Sequence, residues 1–203
     1  MTETVTPDDV LDYWIGETRQ DAGAIERFNT IWFVKRFETD REIAERFVDV
    51  LADLASGLAT EWAKQGARER LAAIIVLDQF SRNIFRGHRL SYAHDPLARN
   101  LMKTGLALGE DKQLSETERV FFYLPAEHSE DRMDQKLAVR LFKQLVSEAR
   151  PEFREFCETT YDYAEKHAEV ISKFGRFPHR NKTLRRTSTF DEQTYLSQPG
   201  AGF

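Results

Sequence analysis

Residues 71–86 read Leu71-Ala72-Ala73-Ile74-Ile75-Val76-Leu77-Asp78-Gln79-Phe80-Ser81-Arg82-Asn83-Ile84-Phe85-Arg86. The stretch has no period-two alternation and no breaker, so it predicts a helix from about Ala67 to Phe85, closed by Gly87. At ~100° per residue, Asp78, Gln79, Arg82, Asn83 and Arg86 fall within an arc of roughly 140°. The other directions belong to Ile74, Leu77, Phe80, Ile84 and Phe85. A helix that is otherwise apolar on all sides is surrounded by protein, so the polar row is expected to be enclosed or to floor a cleft. Asp78 and Arg82 can pair at i, i+4. Gln79 and Asn83 offer amides one row over. Arg86 has no acid at that spacing and must find an acceptor elsewhere or hold an anion.

Working outward, helix signals recur and strand signals do not. Thr6-Pro7-Asp8-Asp9 opens a helix through Trp14 that Gly16 closes, and residues 21–37 form an aromatic-rich helix or connector. Thr39-Asp40-Arg41-Glu42 has the form of a capping box, followed by a buried face at Ile43, Phe47, Val50, Leu51 and Leu54. Gly57 is expected to end that helix, with Trp62 in a turn leading to Gly66. Asp95-Pro96 reads as N-cap and first-turn proline of a helix to Leu108. Ser115-Glu116-Thr117-Glu118 is a second capping box, and its helix is expected to stop at Pro125. Ser129 is placed as the cap of a helix to about Glu148. Pro151 starts another that Gly175 terminates, and Thr189-Phe190-Asp191-Glu192 caps a last short one.

These signals give an all-α fold of eight or nine helices, a single-domain array of antiparallel helix pairs. The domain spans 1–203, with 197–203 a loosely ordered tail unless Phe203 finds a pocket. No linker divides the chain, and the ~34-residue tetratricopeptide signature is absent.

Composition narrows the function classes. Of 203 residues, 41% are apolar and 31% charged, as in an ordinary globular protein. A formal net charge of -5 argues against a chain-wide nucleic-acid or anionic-membrane surface. No apolar run approaches the ~20 residues of a membrane-spanning helix. The single Cys157 and a first segment without an apolar core point to the cytoplasm.

Two other segments complement the polar row. Phe174-Gly175-Arg176-Phe177-Pro178-His179-Arg180-Asn181 belongs to a window, 173–186, holding Lys173, Arg176, Arg180, Lys182, Arg185 and Arg186 and no acid. Tyr123-Leu124-Pro125-Ala126-Glu127-His128-Ser129-Glu130-Asp131 opens an acidic window. Arginine forks match carboxylate and phosphate, so the candidate ligand-binding set is Asp78, Gln79, Arg82, Asn83, Arg86, His128, Arg176, His179, Arg180 and Asn181. The partner this set would take is an anionic small molecule or an acidic peptide. A network that merely clamps helices together is the competing role. A protein-interaction groove with exposed Trp14, Trp32 or Trp62 is a second functional reading. A hydrolase or transferase using His128 or His179 is a third. His128 with Glu127 or Asp131 lacks a metal-site spacing, and no phosphate-cradling or nucleophile motif occurs, so no cofactor or metal is expected.

Together the three segments resemble domain of unknown function 924, a bacterial family of tetratricopeptide-like helical proteins. Weaker matches are Tyr13-Trp14-Ile15-Gly16, Trp32-Phe33, Asp134-Gln135 and Arg186-Thr187-Ser188-Thr189 with Glu192. The resemblance covers nearly the whole chain and implies a helical array. It brings no activity and no catalytic residue. Ser81 stands where the family usually has Pro, so the helix is expected to continue more regularly there. Arg185 stands where it usually has Gly.

Overall fold

The computed structural model describes residues 4–202. Among them there are no strands and nine helices, linked by short turns: α1 (Pro7–Trp14), α2 (Ile25–Trp32), α3 (37–65), α4 (67–84), α5 (Asp95–Ala107), α6 (Glu116–Glu127), α7 (Arg132–Glu148), α8 (Arg154–Phe174) and α9 (Phe190–Leu196). The all-α expectation holds. Phe203 lies outside the described residues. Capping boxes at Thr6/Asp9, Ser115/Glu118 and Thr189/Glu192 start α1, α6 and α9, each satisfying two backbone N–H groups.

Contacts at the helix ends fix the directions. Asn83, at the end of α4, bonds Asp40, near the start of α3. Arg82 pairs with Asp95 at the start of α5, while Arg68 and Asp78 of α4 meet Glu118 and His128 of α6 in the same order. Thus α4 and α6 run parallel, with α3 and α5 antiparallel to α4. Arg119 reaches Glu148, and Arg132 reaches Ser172, so α7 and α8 alternate in turn. The ends of α4, α6 and α8 and the starts of α3, α5 and α7 therefore share one end of the bundle.

The core between them is aromatic. Phe80 packs 4.6 Å from Phe47 and 5.2 Å from Trp14, and Phe121 bridges Trp14 to Trp32. Trp14, Trp32 and Trp62 are all buried, so none supplies the exposed aromatic of an interaction groove.

Several local expectations are overturned, each for an identifiable reason. The helix at Thr39 starts earlier, at Phe37, and no side chain caps it; Asp40 is instead drawn to Asn83 and Arg86. Gly57, at φ 132°, bends α3 through a π turn, and Trp62 is helical. Asp95 is the first residue of α5 and not its cap. Pro125 does not stop α6, which continues to Glu127; all twelve residues of this helix are buried, so packing outweighs the lost hydrogen bond. Asp131, and not Ser129, caps α7 by accepting from Met133 and Asp134 N–H. Finally, α4 is not regular before Ser81. Val76–Phe80 form a π turn, and the Ser81 N–H reaches back to Val76 O.

Candidate functional site

The π turn rotates the start of the polar row against its end, and the row splits in two. Asn83 donates to Asp40 Oδ1 at 2.8 Å, and Arg86 grips both oxygens of Asp40 at 2.5 and 2.6 Å. This pair ties α4 to α3. Arg86 therefore finds its acceptor within the chain.

Asp78 and Arg82 turn the other way, toward α5 and α6. Arg82 forks onto Asp95 at 3.0 and 3.1 Å and lies 3.2 Å from Asp78. Both Asp78 oxygens lie 2.8–2.9 Å from His128 Nδ1, and Gln79 donates to Asp78 at 2.5 Å. Burial alone would raise the Asp78 carboxyl, but Arg82 and His128 outweigh it and hold it well below the carboxylate range. Asp78 is therefore an anion, and His128 carries its proton on Nδ1 with Nε2 as the basic nitrogen.

His128 is the C-terminal cap residue of α6, and its neighbour Glu127 points to α8. His167 Nδ1 lies 3.0 Å from Glu127 Oε1 and 2.8 Å from the Tyr163 carbonyl oxygen. Glu127 Oε2 has no hydrogen-bond partner among the described residues. Burial, with Asp78 adding repulsion, pushes the Glu127 carboxyl up to about 8, so it is protonated at neutral pH. Two adjacent carboxyls thus have opposite charge states. Burial and His128 push His167 down to about 3. The His128 and His167 rings stand 6.2 Å apart, and Phe177 lies 5.5 Å from both His167 and His179.

The basic segment divides likewise. Arg176 forks onto Glu192 at 2.6 and 2.8 Å, and Asn181 donates to Glu192 and Ser188. Arg186 forks onto Glu130. These contacts dock α9 and the tail. Only His179 and Arg180 of this segment join the cluster. Arg180 is buried between the rings of Tyr92 and Phe177, 4.5 and 4.6 Å from their centroids. Its nearest carboxylate is Asp95, at 3.6 Å, and its Nε has no hydrogen-bond acceptor among the described residues. Burial and Arg82 lower its pKa to about 10.

Asp78, Gln79, Arg82, His128, His179 and Arg180 are therefore brought together, whereas Asn83, Arg86, Arg176 and Asn181 serve neighbouring clamps. Asp95, Glu127, His167 and Tyr92 belong to the cluster and were not singled out from the sequence. Glu127 was weighed beside His128 only as a metal ligand, and not as a buried acid facing another helix. His167 lies inside the helix read between Pro151 and Gly175, forty residues from Glu127, and nothing in its local sequence marked it.

A bacterial family of unknown function, DUF924, matches residues 10–200. The chain belongs to this family. A solved structure of a protein of unknown function, ATU0120 from Agrobacterium tumefaciens, is similar at 35% identity, over 94% of this chain and 96% of that one, with a TM-score of 0.79. No match is found among curated proteins. The two positions expected to depart from the family's pattern each carry a structural feature. Ser81 Oγ donates to Leu77 O at 2.7 Å beside the π turn, and Arg185 adopts φ 55°, a conformation that favours glycine.

Two surface cavities lie elsewhere. One, of about 420 Å³, adjoins Arg176 and Glu192; the other, of about 500 Å³, lies between Lys103 and Arg140. Neither is lined by Asp78 or His128. Among the described residues, no group of three or more His, Cys, Asp or Glu is placed to hold a metal ion. No described helix is long and apolar enough to cross a membrane.

Proposed function

We propose that the end of the bundle around Arg180 recognises a small anion, a carboxylate or phosphate, through its guanidinium, with His128 and His179 beside it. One observation carries this reading. Arg82, Arg86, Arg176 and Arg186 each have a carboxylate gripped by two nitrogens. Arg180 is the buried exception, with one distant carboxylate and an unbonded Nε. A buried guanidinium with incomplete pairing gains about 1.5–3 kcal/mol from a charge-assisted hydrogen bond. Calorimetry and thermal unfolding with inorganic phosphate and with acetate test this. The wild type should bind and be stabilised, and Arg180→Lys, which lacks the fork, should bind at least about tenfold more weakly. Absence of binding by the wild type would discard the reading.

The Asp78–His128 contact favours a second reading, a hydrolase or transferase in which His128 acts as general base and Asp78 orients it. An activity screen on ester and phosphoester substrates decides it, since turnover must fall in both His128→Ala and Asp78→Asn.

A further inference from the structure

His128 stands where opposing fields meet. From α4, Asp78 faces its Nδ1 at 2.8 Å. Arg82 of the same helix and Arg180 of the 177–181 turn oppose a second proton on the ring. His167 of α8 and His179 lie close enough for their own protonation to be opposed by a charged His128. Asp95, at the start of α5, and Tyr92, in the turn before it, are engaged with the two guanidiniums. Glu127, next in chain, remains a neutral acid and supplies no negative charge. A carboxylate at this distance ordinarily makes an imidazole more basic. Here burial, with Arg82 and Arg180, outweighs Asp78, and His128 lies below its ordinary value.

An added negative charge changes that balance. Placed against Arg180, it offsets the guanidinium field and favours the imidazolium. Asp78 already holds Nδ1–H, so the incoming proton goes to Nε2, which then becomes a donor. We propose that the ligand of this site is an acid: the anion settles beside Arg180 and one accompanying proton is held on His128 Nε2. The inference rests on the anion-site reading above and adds to it the proton and its seat. The proton comes from solvent or from the acid itself, and either way the bound species are the anion and the imidazolium.

Acetate is the suitable probe, because it is fully ionised between about pH 6 and 8 and cannot bring the proton itself. Its binding to the full chain is measured by calorimetry in buffers of different ionisation enthalpy. The expected result is an observed enthalpy that rises linearly with buffer ionisation enthalpy, at about one proton per site. Affinity should fall about tenfold per pH unit on the alkaline side. His128→Asn, whose amide nitrogen falls at the Nδ1 position and keeps a donor for Asp78, should bind acetate more weakly and lose the buffer dependence. A retained dependence in that variant would seat the proton elsewhere and overturn the proposal. Should the variant fail to fold, an NMR titration of the wild-type His128 ring decides the same point: acetate must raise its pKa by about two units or more, the shift that an uptake of about one proton requires. Binding without proton uptake defeats this inference and leaves the anion site standing. No binding at any pH removes both.

Discussion

The two ends of the helix bundle both bury charge, and they do it differently. At the end built from the starts of α4 and α6, each buried arginine has a full partner. Arg70 forks onto Glu110 and donates to Ala63 O. Arg119 joins Glu148 and Tyr123, and the exposed Arg150 forks onto the buried Glu116. Burial would raise the Glu116 and Glu148 carboxyls, but these bonds bring both down to about 2. Gly105 fits this end tightly, since a Cβ there would stand 2.6 Å from Phe122 and 2.7 Å from Arg70. At the opposite end, histidines stand among the arginines, one carboxyl is protonated and one guanidinium is underbonded. The first arrangement holds helices together; the second is a polar cluster whose protonation can change.

The largest expected effect separates the two directly. Arg70→Ala leaves Glu110 without its buried partner and should lower unfolding free energy by about 3–5 kcal/mol. Arg180→Ala leaves Asp95 still gripped by Arg82, and should cost about 1 kcal/mol, mostly lost ring contact. Urea unfolding of both variants measures the difference. Equal losses would mean that Arg180 is as fully used in folding as Arg70, and the contrast would fail.

A smaller effect depends on pH. Glu127 has a folded value of about 8 against an ordinary 4.5. Its contribution is therefore fully present below about pH 4.5 and is lost as pH rises through about 8. Glu116 is the reverse case: its contribution is present above 4.5 and is lost as pH falls toward about 2. Glu127→Gln should thus be more stable than the wild type at pH 8 by roughly 2–4 kcal/mol, with the gain vanishing near pH 4. Glu116→Gln should be less stable at pH 7, with the loss fading in acid. Denaturant midpoints measured across this range check both signs. A wild-type profile unaltered by Glu127→Gln would mean that the carboxyl is ionised in the fold.

How much of this was legible follows from the kind of force involved. Local rules found the helices, because capping boxes and apolar faces act over a few residues: Thr6, Ser115 and Thr189 cap as their spacing dictates. They failed where tertiary contact competes. Asp40 and Asp95 look like first-turn or cap acids, yet each is drawn to an arginine of α4. Pro125 looks like a stop and is overruled by a helix buried on every side. The three polar segments do converge on one end of the bundle, as their composition suggested. The split of the polar row depends on the π turn at Val76–Phe80, which regular 100° spacing cannot reveal, and the clamp at Arg176 depends on Glu192 of α9. Glu127 with His167 was invisible for a simpler reason, since a contact across forty residues leaves no pattern in sequence.

The smallest effect concerns the turn that carries Arg180. Arg185 is the sole described non-glycine residue at positive φ, 55°, and its side chain is exposed. An L-residue in this region costs roughly 1–2 kcal/mol relative to the right-handed conformation. The strain persists because its neighbours fix the turn. Arg186 N–H donates to Asn181 O at 2.8 Å, and the Arg186 guanidinium is held by Glu130 and Phe177 O. Arg185→Gly relieves the clash but loosens the unfolded chain, so the net gain should be about 0.5–1 kcal/mol. In a chain of this size that corresponds to about 1–4 °C in Tm. Arg185→Val, with a branched Cβ at the same φ, should lose stability instead. Because the substitution leaves every charge pair of both ends in place, it should steady the Arg180 end without altering the Arg70 end. Hydrogen exchange would show added protection at 177–186 and none at 67–72. A loss of stability in Arg185→Gly would mean that the arginine side chain, and not the backbone, sets this turn.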